Sequence, residues 1–132
     1  MEKTVFQKII DHELPAEVLF EDERIIAILD RFPTVRGQSL LITKTVSPYV
    51  FALPDDEYMY LLKEAKRLAR ALDRAYGTLR TCLVIEGFDV PHVHVRLYPM
   101  TTPGLRITHG DMASDEELAV EGETIRAALA AQ

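Results

Sequence analysis

Pro91-His92-Val93-His94-Val95-Arg96-Leu97-Tyr98-Pro99 alternates strictly between apolar and polar side chains. That is the period of a strand with one face in a core. On this reading Val93, Val95 and Leu97 point inward. His92, His94, Arg96 and Tyr98 form a row on the other face, with Tyr98 as a lid or packing residue. Two imidazoles and a guanidinium side by side describe an anion site with a nucleophile in its middle. The guanidinium offers a fork of donors, and neutral imidazole offers a lone pair near pH 7.

Working back along the chain, Arg80 to Ile85 reads as a strand joined to the histidine strand by a turn at Gly87. Before it comes a long amphipathic helix. Pro54-Asp55-Asp56-Glu57 supplies an acidic first turn that suits the helix dipole. Leu61, Leu62, Ala65, Leu68, Ala69, Leu72 and Tyr76 then recur at helical spacing until Gly77, a stripe for core or dimer contact. Nearer the start, Val18-Leu19-Phe20 and Ile25-Ile26-Ala27-Ile28-Leu29 flank the charged turn Glu21-Asp22-Glu23-Arg24, which predicts a hairpin. Pro33 and Gly37 mark a loop before another strand, Ser39-Leu40-Leu41-Ile42-Thr43. Val5 to Ile10 reads as a short helix, and Ser114 with Glu117 has capping-box spacing for a final helix through about Ala128. Strands joined by short turns, with helices set apart, predict an α+β fold with a mainly antiparallel five-stranded sheet.

A chain of 132 residues is expected to form one domain, residues 1–132, with a core over about 4–100 and a helical tail over about 101–132. The apolar fraction of 48% and charged fraction of 27% place it among soluble globular proteins. The net charge of −6 argues against a general nucleic-acid surface. A phosphate ligand therefore needs a local positive field, for which Arg24, Arg31, Arg36, Lys44 and Arg96 are the candidates. No uncharged apolar run is long enough to span a membrane, and the acids Asp11 and Glu13 argue against a signal peptide. The single cysteine, Cys82, excludes an internal disulfide and suits the cytoplasm. Its neighbours Leu83, Val84 and Ile85 predict a buried structural thiol. His12 reads as a solvated turn residue, and His109 as a structural or exposed loop residue on a tail that could fold back over the site. Without further information Asp30 is equally a turn or cap residue. Glu21-Asp22-Glu23 and Asp115-Glu116-Glu117 read as solvated surface.

Five landmarks appear in a set order: Phe6-Gln7-Lys8-Ile9-Ile10, then Pro15 to Glu23, then Leu29-Asp30-Arg31-Phe32-Pro33, then Gly37 to Lys44, then the histidine strand. With these the chain resembles the histidine-triad (HIT) superfamily of nucleotide hydrolases and transferases over roughly residues 4–100. The family motif is His-φ-His-φ-His-φ-φ, with φ apolar. The resemblance implies that His94 is the nucleophile at an α-phosphorus, with His92 supporting geometry and charge. It implies that Asp30 binds ribose hydroxyls and that Phe6, Ile9 and Ile28 line the base pocket. It also implies a two-fold homodimer joined through the long helix and the strand before the triad. Leu61, Leu68, Leu72 and Tyr58 are available for that contact.

The chain departs from the pattern at named positions. Arg96 stands for the third histidine and Gln38 for a fourth. Ile85 to Val90 is shorter than the family's phosphate-holding segment, with Phe88 where Gln would stand and Asp89 where Ser or Thr would. That acid repels phosphate unless Arg96 or Arg31 neutralises it. Thr4 and Gln7 occupy the places of zinc-binding cysteines found in some members, so no metal or other cofactor is expected. Arg96 can hold phosphate oxygens bidentately but cannot donate a proton usefully. Leaving groups that depart as stable anions are then expected to be tolerated, and amines to be poor. Two other readings stand beside catalysis. One is a nucleotide-binding or interaction module without turnover. The other is a metal held by His92 and His94, completed by Asp89, Glu86, His12 or His109.

Overall fold

The structure, a computed structural model, describes residues 2–132. Helix α1 (Val5–Ile10) starts on a capping box, in which the Thr4 hydroxyl accepts from the Gln7 amide and the Gln7 side chain accepts from the Thr4 amide. Strands β1 (Val18–Glu21), β2 (Ile25–Leu29) and β3 (Ser39–Thr43) follow. After the 3₁₀ turn Val50–Ala52 comes α2 (Asp55–Tyr76), which stops at Gly77 in the left-handed conformation, φ 58°. Glycine adopts that conformation without a Cβ clash. Strands β4 (Arg80–Val84) and β5 (His94–Met100) precede α3 (Asp115–Ala130). The sheet order is β1-β2-β3-β5-β4, with every neighbouring pair antiparallel. The α+β architecture with five strands is the one its sequence pattern predicts.

One face of the sheet, with Leu29, Leu41, Val95 and Leu97, packs against Leu61, Ala65, Leu68 and Leu72 of α2. These four helix residues are fully buried in the chain's own core. The other face, with Ile26, Ile28, Leu40 and Ile42, is covered by Phe6 of α1. Helix α3 lies along α2 and is tied to β1 by Arg126, whose guanidinium donates to Glu17 at 2.7 Å and to the Val18 carbonyl at 2.9 Å.

The histidine strand differs from its expected form in two ways. It begins at His94, because His92 lies in a turn where its amide donates to Val90 O at 2.8 Å. Both faces are buried, since α1 and the segments on either side of β5 cover the polar row. Tyr98, expected on a polar face, is completely enclosed and accepts a hydrogen bond from Arg96. Cys82 is only half-buried, because β4 forms the edge of the sheet. The acid runs are more than solvated surface. Asp22 accepts the Tyr60 hydroxyl, which pushes that phenol up to about 12, and Asp115 pairs with Arg31 at 2.7 Å. His12 is exposed, in a left-handed conformation that ends α1.

Candidate active site

Strand β4 runs out at Val84, opposite Arg96, so His94 has a strand neighbour only on the β3 side, where it faces Ile42. A cavity of about 210 Å³ lies over the α1 face of the sheet, with Ile28 of β2, Leu40 of β3 and His94 of β5 in its wall. His94 Nδ1 lies 2.7 Å from the carbonyl of His92. A carbonyl only accepts, so Nδ1 carries the proton and Nε2 keeps the lone pair. The Phe6 ring packs edge-on at 4.7 Å. Burial lowers the His94 pKa from 6.5 and the Arg96 charge pushes the same way, outweighing the bond to the His92 carbonyl. The cavity thus has a neutral imidazole in its wall near pH 7.

His92 does not line that cavity. It is fully buried and its Nε2 donates to the Thr43 carbonyl at 2.6 Å, while Nδ1 has no partner among the described residues. Its contribution is the backbone carbonyl that orients His94.

Arg96 is engaged by the protein itself. One terminal nitrogen donates to Glu86 at 2.6 Å; the other donates to Tyr98 Oη at 3.1 Å and to the Ile107 carbonyl at 2.8 Å. Asp89 is 3.9 Å away. Burial by itself raises the Glu86 carboxyl, but the Phe88 amide and the guanidinium together hold it below the usual carboxylate range. Arg96 is therefore a buried, neutralised cross-link between β5, the 85–90 segment and the tail, with little left for a bidentate phosphate grip.

Phe6, Ile9, Ile28 and Leu40 form an apolar wall, with Asp30 and Asp89 at the cavity's polar margin. Asp30 Oδ1 accepts the Phe32 amide at 2.9 Å and Oδ2 accepts Gln38 Nε2 at 2.8 Å. Gln38 stays outside the cavity, nearly fully buried, and its own carbonyl accepts from the Thr34 amide. It acts behind Asp30, so a direct phosphate contact from Gln38 is not what this geometry offers. Of the other candidate cations only Arg31 reaches the cavity, and it pairs with Asp115. Arg24 is drawn to Asp56 and the Tyr60 ring, Arg36 to Glu121, and Lys44 to Glu21.

The pattern of the sequence underweighted two groups. Spacing in the sequence presents Glu86 only as a metal ligand, yet it is the main partner of Arg96. His109 comes back on the tail to line the cavity, where its Nε2 lies 3.2 Å from Asp89 Oδ2. The metal reading meets a different geometry. His92 and His94 each commit a ring nitrogen to a backbone carbonyl, and among the described residues no cluster of three or more His, Cys, Asp or Glu side chains is placed to hold a metal ion.

The HIT domain family model matches residues 11–101, and the chain belongs to this family. An uncharacterized HIT-like protein of Methanocaldococcus jannaschii is 32% identical over 99 residues, spanning 72% of this chain and 77% of that protein. An adenosine 5'-monophosphoramidase of Saccharomyces cerevisiae is 35% identical over 96 residues, 72% of this chain and 61% of the yeast protein. Among solved structures, a zinc-bound histidine triad family protein from Mycobacterium smegmatis matches with TM-score 0.79 and 26% identity, over 96% of this chain and 93% of the other. A hypothetical histidine triad nucleotide-binding protein from Sulfolobus tokodaii has TM-score 0.85 at 23% identity, over 96% and 91%, a likeness of fold. No described helix is long and apolar enough to cross a membrane.

Proposed function

We propose that this protein binds a nucleotide or nucleotide derivative and transfers its nucleotidyl group, by attack of His94 at the α-phosphorus, to water or another acceptor. One observation carries the reading: a buried neutral imidazole, its tautomer set by the His92 carbonyl, in the wall of an apolar cavity. The base lies against Phe6, Ile9 and Ile28, and Asp30, braced by Gln38, takes the ribose hydroxyls. His94 Nε2 attacks phosphorus, and the covalent intermediate divides one displacement into two steps. The yeast relative named as an adenosine 5'-monophosphoramidase supports a nucleotide as the ligand.

The working unit on this reading is a two-fold homodimer in a reducing cytoplasm, which the free Cys82 suits. Leu61, Leu68 and Leu72 are already used by the chain's own core, so the contact falls on exposed apolar groups of the same two elements, Met59 of α2 and Leu83 of the edge strand β4.

A second reading, binding without turnover, draws support from the engagement of Arg96 by Glu86 and from the acid Asp89 at the cavity. A nucleotide panel with wild type and His94→Ala decides between them. Catalysis predicts that His94→Ala loses turnover by at least about 10³-fold while nucleotide affinity changes little. Wild type without turnover on every substrate, but with tight binding, establishes the second reading.

A further inference from the structure

Position 96 carries no usable proton donor, yet a displacement at phosphorus that expels an amine or alkoxide needs one. The tail brings one in. His109 lines the same cavity as His94, and its Nε2 lies 3.2 Å from Asp89 Oδ2. Its backbone is anchored on both sides. Arg96 holds the Ile107 carbonyl at 2.8 Å, Thr34 Oγ1 donates to the Arg106 carbonyl at 3.2 Å, and the Gly110 amide donates to Phe32 O at 3.0 Å. At Gly110 the tail lies so close to the 31–34 loop that a Cβ would be 1.8 Å from Pro33 O. The Phe32 ring stands edge-on to the imidazole at 6.1 Å. His109 and Asp89 side chains are 64% and 61% exposed, so their pairing adds little to stability. A held, accessible imidazole aligned by a carboxylate is the arrangement of a general acid–base pair.

We propose that His109, oriented by Asp89, is the proton donor to the leaving group; this rests on the reading of His94 as nucleophile. With Nε2–H directed at Asp89, the imidazolium donates from Nδ1. In the first step the His94 Nε2 lone pair forms a bond to phosphorus. The bond from phosphorus to the leaving atom breaks, its electron pair departs with that atom, and the Nδ1 proton of His109 joins it. In the second step a water oxygen bonds to phosphorus, and the phosphorus–nitrogen pair returns to His94. The water proton goes to His109 Nδ1. The sum is substrate plus water giving nucleoside monophosphate plus the protonated leaving group, with both imidazoles restored. The tail thus supplies what Arg96 cannot, and amine leaving groups become good substrates.

The test compares two adenosine 5'-phosphoryl substrates, one with an alkylamine leaving group and one with p-nitrophenolate, which departs without a proton. His109→Asn is expected to lose about 10²-fold in kcat/KM on the amine and less than about threefold on the nitrophenyl ester. Asp89→Asn is expected to show the same split with a smaller loss. Gly110→Ala, which must displace the tail, is expected to follow His109→Asn. An equal loss on both substrates, or no loss on either, for His109→Asn overturns the proposal. His94→Ala is run alongside: its loss of both substrates upholds the nucleophile whatever His109 does, and its retention of both removes the nucleophile instead.

Discussion

Two opposing effects meet at His94, and burial wins. Burial and the neighbouring guanidinium disfavour its charged form, while the His92 carbonyl holds the Nδ1 proton. The folded-state pKa therefore lies below 6.5. As pH falls past 6.5 the unfolded chain takes up a proton that the folded site refuses, so His94 stabilises the fold above that pH and its contribution is lost on acidification. Titration of the His94 ring by NMR is expected to give a midpoint under 6.5, with turnover sustained to the same low pH. A midpoint at or above that of an exposed histidine contradicts this account. The proximity of His92 and His94 could be read from their spacing of two residues. The use of the His92 carbonyl as the acceptor that orients His94 could not, because backbone partners leave no mark on residue type.

Among the elements, α2 is the one whose role its sequence states most completely. Leu61, Ala65, Leu68 and Leu72 recur at helical spacing and all are fully buried. Leu68→Ala removes packing that the surrounding sheet cannot close, and should cost about 2–5 kcal/mol, measured by urea denaturation. A loss near zero would mean that α2 does not pack on the sheet through this residue. Strand β5 was less complete from its alternation. A period of two fixes which side chains share a face, but says nothing of what lies on each face. Here the second face is covered by α1 and by segments without periodic pattern, so His94, Arg96 and Tyr98 are enclosed rather than aligned on a surface.

For the molecule as a whole, exposed Leu83 on the edge strand and Met59 on α2 lie on the elements that the dimer reading joins. An edge strand with an apolar side chain and unpaired backbone groups is an open pairing surface. Analytical ultracentrifugation is expected to give a dimer for wild type and a monomer for Leu83→Arg, with helix content unchanged by circular dichroism. A monomeric wild type at tens of micromolar removes the dimer from the account.

The chain's family and its sheet were accessible from residue order, because periodicity and short motifs are local properties. The state of Arg96 was not. Its partners Glu86 and Ile107 lie ten and eleven positions away in segments with no repeating pattern. The same holds for His109 and Asp89, twenty positions apart, which meet because the tail returns across the 31–34 loop and docks on backbone atoms. A guanidinium in a row of polar residues suggests a phosphate clamp. Once folding supplies a carboxylate at 2.6 Å and a carbonyl at 2.8 Å, the same group becomes the anchor that sets a second imidazole at the cavity.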